Sequence, residues 1–320
     1  MDKRSLTTWA VLGTAALALG LVVKDPYFAS VMNLVAVSVL IAASLRFVML
    51  VGEVSFATAA FVGYGAYGAG VATTIFDWPF AIAMLFGPLI AVVVSFAFGA
   101  VTLRSKGPYF MLIGVAFTEA VRILYSRFEI LGSTSGMIGI FPPMALEPYW
   151  PLFVIGVVLV LLFVLYWLEK SDFGKLLLAI QDNENVVRTV GINTLFCKIG
   201  CFAISAFCAG VAGSLHAFVN NVISPADFGF HLAAFALAYI MVGGEHSFLG
   251  SVCGAIFLVL IGSFALGLGE AEVIFYGGAI VISLLLMPRG LAGLFERGKR
   301  PGPGNRLPAI LRGTGKGAQS

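Results

Sequence analysis

Charge is what this sequence has least of. Asp, Glu, Lys and Arg make up 11% of its 320 residues, where a soluble globular chain carries roughly 25%. That deficit excludes a water-exposed surface of ordinary size. The 60% share of hydrophobic residues and the mean hydropathy of +1.01 place the chain in a membrane. A formal net charge of +3 is too weak a cationic excess for nucleic-acid binding, so no nucleic-acid partner is expected. Four cysteines are too few to staple a secreted scaffold. Cys197, Cys201 and Cys208 share roughly one face of a predicted helix, but no histidine joins them, so they read as small packing residues rather than metal ligands. His216, His231 and His246 form no metal-spaced pair.

Energy-coupling chemistry is also missing. A P-loop ends in Gly-Lys-Ser/Thr, and each Gly-Lys here, at Lys175, Lys299 and Lys316, is followed by Leu, Arg or Gly. The chain therefore carries no ATPase site of its own. No convergent cluster of polar groups suggests an integral-membrane enzyme.

What is present is a series of long continuous apolar runs. Helices and closed barrels both satisfy backbone hydrogen bonds in lipid, but barrel strands alternate apolar and polar residues over about ten positions. The runs here are unbroken and longer, which predicts an all-α polytopic membrane protein. Candidate spans lie near 8–23, 28–46, 54–76, 80–103, 109–126, 149–168, 196–219, 230–243, 249–268 and 272–287, giving about 8–10 transmembrane helices. The 230–243 run is short of the roughly 20 residues needed to cross, and the polar break after it reads as a possible re-entrant hairpin. The first run continues through Lys24-Asp25-Pro26 into the next without a small-residue cleavage site, so it is expected to be a span rather than a signal peptide. Lys and Arg concentrate in alternate loops, which places both termini on the cytoplasmic side. Residues 1–295 form the membrane domain, and the Gly-, Pro- and Arg-rich tail 296–320 is expected to be disordered.

Ionisable groups inside spans are costly and mark functional candidates. Glu119 and Arg122 stand three apart on one predicted helix and are able to pair. The alternatives are a pair facing a translocation path and a neutralised pair holding two helices in register. The run from Gly132 to Pro143, with Ser133, Thr134, Ser135 and Gly136, reads as a packed segment on the outer side. Gly63, Gly65, Gly68 and Gly70, and also Gly210 and Gly213, permit close helix approach. The pentads Gly52-Glu53-Val54-Ser55-Phe56 and Gly244-Glu245-His246-Ser247-Phe248 hint at an internal repeat.

The longest polar interruption, 169–193, is not a linker. Leu176, Ile180, Val187 and Val190 recur at helical spacing, Asp182 or Asn183 is placed to cap a second short helix, and Gly191 to end it. With Phe173-Gly174, Ala179-Ile180 and the Glu184 to Gly191-Ile192-Asn193 spacing, this segment resembles the coupling segment of LivM-type permeases of high-affinity branched-chain amino-acid ABC importers. Gly107-Pro108-Tyr109-Phe110, Thr118-Glu119 with Arg122, the Gly132–Ile140 run, Ser205-Ala206 through Gly210 and Gly213, Ile223-Ser224-Pro225, Gly243-Gly244 and Met287-Pro288-Arg289-Gly290-Leu291 extend the resemblance over about residues 30–295.

The resemblance implies a permease subunit in a bacterial cytoplasmic (inner) membrane, paired with a second related permease as a heterodimer. It further implies two ATPase subunits that bind the ATP, a periplasmic solute-binding protein, and no cofactor in this chain. Phe173, Gly174, Leu176, Glu184, Val187 and Gly191 are then the expected coupling surface, and Glu119, Arg122 and Ser133–Gly136 the path or gate. A urea or short-amide importer permease, and a stand-alone secondary transporter or channel, are the competing readings.

Overall fold

A computed structural model describes residues 25–265 except 104, 106 and 246, together with residues 277, 278 and 281. Nine helices fall in the described stretch: α1 (Pro26–Met49), α2 (Thr58–Thr74), α3 (Phe80–Thr102), α4 (Pro108–Arg127), α5 (Trp150–Lys170), α6 (Asp172–Thr189), α7 (Thr194–Asn220), α8 (Phe230–Gly243) and α9 (Phe248–Ala265). Proline opens α1 and α4, where its missing N–H costs nothing. Asn193 caps α7, its side-chain oxygen accepting from the Phe196 amide at 3.2 Å. Two-residue strands, β1 (Met137–Ile138) and β2 (Val222–Ile223), pair antiparallel with Met137 opposite Ile223.

The chain is an all-α polytopic membrane protein, organised around α7, which packs against α1, α2 and α3. The approach is close because the contact positions lack side chains. A Cβ on Gly65 would fall on the Gly210 carbonyl, one on Gly87 on the Gly65 carbonyl, and one on Gly213 on the Val62 carbonyl. Buried hydroxyls and thiols then bond across the seams: Ser214 to the Gly65 carbonyl at 3.0 Å, Ser205 to the Ser44 carbonyl at 2.7 Å, and Cys201 to the Phe47 carbonyl at 3.3 Å. Apolar residues of a helix gain nothing by leaving lipid for another helix, so backbone proximity and such bonds hold the bundle. Opposite the core, α3 exposes Ile82, Leu85, Leu89, Val93 and Phe96, as a lipid-facing helix does.

Eight of the ten predicted runs fall wholly or largely among the described residues. Among the described residues, α1, α3, α4, α5 with the turn before it, and α7 are long and apolar enough to cross; α8 and α9, bent by 116° at their junction, make a sixth if taken as one. The run predicted near 54–76 gives a shorter helix than expected, and the run near 230–243 is as short as expected. Turns and irregular chain over residues 50–57 precede α2, leaving it 17 residues, while β2 and the 3-10 turn Pro225–Phe228 precede α8, which keeps the 14 residues read from the sequence. The predicted spans near 8–23 and 272–287, both termini and the tail 296–320 lie outside the described residues.

The segment ahead of α2 and the start of α8 meet against α4. Thr118 donates to the Phe56 carbonyl at 2.9 Å, the Phe56 and Phe230 rings stack 5.5 Å apart, and Glu119 accepts from the Phe230 amide at 3.0 Å. Side chains of α4 thus satisfy backbone groups that lipid could not. The glycines that open the paired pentads, Gly52 and Gly244, both have positive φ, +83° and +105°.

Candidate functional site

Two regions gather the polar groups, at opposite ends of the bundle. At the β1–β2 end, Arg122 Nε donates to Glu119 at 2.6 Å, and both side chains are partly exposed, 38% and 33%. The pair predicted from spacing is therefore formed, and Glu119 also anchors the start of α8. The Gly/Ser/Thr run is packed, as expected. Met137 and Ile140 are buried, and a Cβ on Gly136, whose φ is +77°, would fall on the Ile223 carbonyl. Ser133–Ser135 form a 3-10 turn against α4 and against the turn Pro225–Phe228, so these candidates and the Glu119–Arg122 pair share one neighbourhood. Thr134 and Ser135 are exposed there, while Ser133 and Gly136 are half-buried.

At the other end lies α6, continuous except at Asn183, whose φ of −158° and ψ of 95° break it into two arms. Asn183 Oδ1 accepts from the Asn185 and Val186 amides at 3.2 and 3.3 Å, so it caps the second arm. Gly191, φ +85°, ends that arm with its amide donating to the Arg188 carbonyl at 3.0 Å. Glu184 is the hub. Its carboxylate accepts from Arg188 at 2.6 Å, from the Thr194 hydroxyl at 3.0 Å and from Lys198 at 3.2 Å. Lys198 is only 4% exposed, so this is a buried ion pair joining α6 to α7. On the surface of α6, the hydrogen bond and charge of Lys175 hold the Asp172 carboxyl below its ordinary range. Gln181, Asp182, Asn183 and Lys198 line a polar cleft with Gly52 and Glu53.

The expected coupling residues divide. Phe173 and Leu176 are half-buried and Gly191 is exposed, but Gly174, Glu184 and Val187 are buried. Those three hold α6 to the bundle and are not on its outer surface. Helical spacing of apolar residues marks the face that packs, and that face turns inward. The outward face instead shows Leu178, Val186 and Val190, at 42%, 58% and 75% exposure.

Arg46 is not among the candidate residues that the sequence singles out. Arg46 is 3% exposed and forks onto Glu169 at 2.6 and 3.2 Å; its Nε donates to the Glu245 carbonyl at 3.3 Å, and its guanidinium lies over the Phe248 ring at 5.5 Å. An arginine near the end of an apolar run is the one signal the sequence offered.

Among the described residues no group of three or more His, Cys, Asp or Glu is arranged to hold a metal. A bundle of apolar helices with one polar helical segment outside the spans defines a polytopic membrane protein. Residues 27–284 match the family described as the branched-chain amino acid transport system permease component, and the chain belongs to that family. It is 28% identical to the high-affinity branched-chain amino acid transport system permease protein LivM of Escherichia coli K12, over 72% of this chain and 61% of that protein. It is similar to two proteins of Methanocaldococcus jannaschii: a probable LivM, 26% identical over 54% of this chain and 53% of that one, and a probable LivH, 30% identical over 43% and 46%. The match thus spans about three fifths of the E. coli protein's length. No solved structure matches.

Proposed function

We propose that this chain is the membrane-spanning permease subunit of an ATP-driven importer of branched-chain amino acids or similar small amino-acid-like solutes. Its family membership supports the transport reading, and α6 is the observation that carries the mechanism. It is a kinked helix tied to the bundle by Gly174, Glu184 and Val187 and presenting Leu178, Val186 and Val190 outward. A chain with no P-loop must take its work from elsewhere, and an exposed apolar face on a clamped helix suits a motor subunit's groove.

In this reading two ATPase subunits bind ATP and press on α6, on the cytoplasmic side of a bacterial inner membrane. A second related permease covers the half-exposed Glu119–Arg122 face, where charge is expensive against lipid, and a solute-binding protein meets the end that carries the β1–β2 pair. The path runs along α4, past Glu119, Arg122 and the Ser133–Gly136 turn.

The test is reconstitution in liposomes with cognate ATPase, second-permease and binding-protein subunits, following labelled leucine, isoleucine, valine and urea. ATP-dependent uptake of the first three is expected. Uptake by this chain alone, insensitive to ATP, would refute the importer reading, and preference for urea would move the substrate to short amides.

A further inference from the structure

Two junctions converge on Arg46, and one of them leads on to a third element; all three matter to the proposed coupling. The first is the α5–α6 junction. Glu169 is the next-to-last residue of α5, and a Cβ on Gly174 in the first turn of α6 would fall on the Glu169 carbonyl, so the start of α6 is packed directly on the residue that Arg46 grips. The second is the α8–α9 break, held through the Glu245 carbonyl and the Phe248 ring. Here a Cβ on Gly243 would fall on the Gly250 carbonyl, and one on Gly254 on the Tyr239 carbonyl, so the two helices are locked to each other and move as a body. The third is α4, reached at the far end of α8, where the Phe230 amide bonds to Glu119. A 14-residue helix spans about 21 Å at 1.5 Å per residue. It is therefore a rod between the Arg46 end and the Glu119–Arg122 face.

Building on the importer reading, we propose that Arg46 is the positioning residue that makes α6 and α8 move together, so that displacement of α6 by the ATPase reaches the Glu119–Arg122 face. The guanidinium suits this task because its planar fork bonds the carboxylate in parallel while Nε remains to donate to a second partner. A lysine supplies the charge without that span. The contact is buried, so its attraction is little screened and the two elements separate only at the cost of an uncompensated charge.

The experiment uses the full chain assembled with its ATPase, second-permease and binding-protein subunits in liposomes. Leucine uptake, ATP hydrolysis and heat stability are measured for wild type, Arg46→Lys, Arg46→Met and the exchanged pair Arg46→Glu with Glu169→Arg. Arg46→Lys is expected to assemble and to hydrolyse ATP within about twofold of wild type, with uptake down about tenfold. The exchanged pair regains the ion pair, and with it stability, but not the reach to the Glu245 carbonyl, so it remains uncoupled. A merely structural arginine predicts the opposite, uptake returning along with stability, and that result would overturn the proposal. So would uptake in Arg46→Lys equal to wild type.

A second measurement does not depend on the solute. In a cysteine-free background, nitroxides at Val186 and Met241, both exposed, report the distance between α6 and α8 with and without a non-hydrolysable ATP analogue. The proposal requires a constant distance in wild type and a nucleotide-dependent change in Arg46→Met; any other pattern overturns it. Absence of ATP-driven uptake in the wild-type assembly would instead sink the importer reading, whatever the distances show.

Discussion

Glu184→Gln isolates the value of the buried charge at the α6–α7 joint. Glutamine keeps the shape and one acceptor oxygen, so the hydroxyl of Thr194 and the guanidinium of Arg188 retain a partner. Arg188 is 57% exposed, and water screens its share, so losing the charge opposite it costs at most about 1 kcal/mol. Lys198 is different. It is 4% exposed, and its recorded bond is to Glu184 at 3.2 Å. Glu53 lines the same cleft, where its carboxylate accepts from the Gly107 amide at 3.0 Å. Removing the countercharge takes the hydrogen-bonded carboxylate away from a buried ammonium, for which a loss of about 3 kcal/mol is expected, the lower end of the range for breaking a buried pair. At about 2–4 °C per kcal/mol this lowers the thermal midpoint by about 6–12 °C. The assay heats the detergent-solubilised protein and scores the monodisperse peak that survives. Combining Glu184→Gln with Lys198→Met removes both charges and should recover to within about 1 kcal/mol of wild type. A single variant as stable as wild type, or a double variant less stable than the single, would refute the reasoning.

Gly213→Ala places a Cβ on the Val62 carbonyl at the α2–α7 seam and should destabilise by about 1–3 kcal/mol. Gly156→Ala, where a Cβ meets nothing within 4 Å, should change stability by less than about 1 kcal/mol in the same heating assay. Gly191→Pro demands a φ of about −65° where the chain holds +85°, and deletes the amide that bonds the Arg188 carbonyl. ATP hydrolysis should then persist while uptake falls, with the protein still in the membrane; unchanged uptake would remove the end of α6 from the coupling pathway.

Much of this was legible in the residues. Hydropathy located α1, α3, α4, α5 and α7 to within a few positions, because a run of apolar residues long enough to cross lipid has few other uses. Three-residue spacing was enough to pair Glu119 with Arg122, and local turn chemistry narrowed the cap to Asp182 or Asn183, of which Asn183 is the one that caps, and placed the Gly191 stop. These are short-range properties, decided by neighbours along the chain. The outward face of α6 was not legible in the same way. An apolar residue at helical spacing packs on one side of the helix, and only the position of α7 shows that Gly174, Glu184 and Val187 face inward while Leu178, Val186 and Val190 face out.

The sequence by itself determined the class: too few charges for a water-soluble surface, helices as the way to cross, and no lysine positioned to hold a nucleotide's phosphates. It did not determine that the run near 54–76 yields only a 17-residue helix, nor that Arg46, Glu169 and Glu245 meet, the last two being 123 and 199 residues from Arg46 along the chain. Only the tertiary structure decided those. The reason is physical: a glycine seam or a buried guanidinium acts through atoms supplied by distant segments, and its partners are chosen when the helices close on one another.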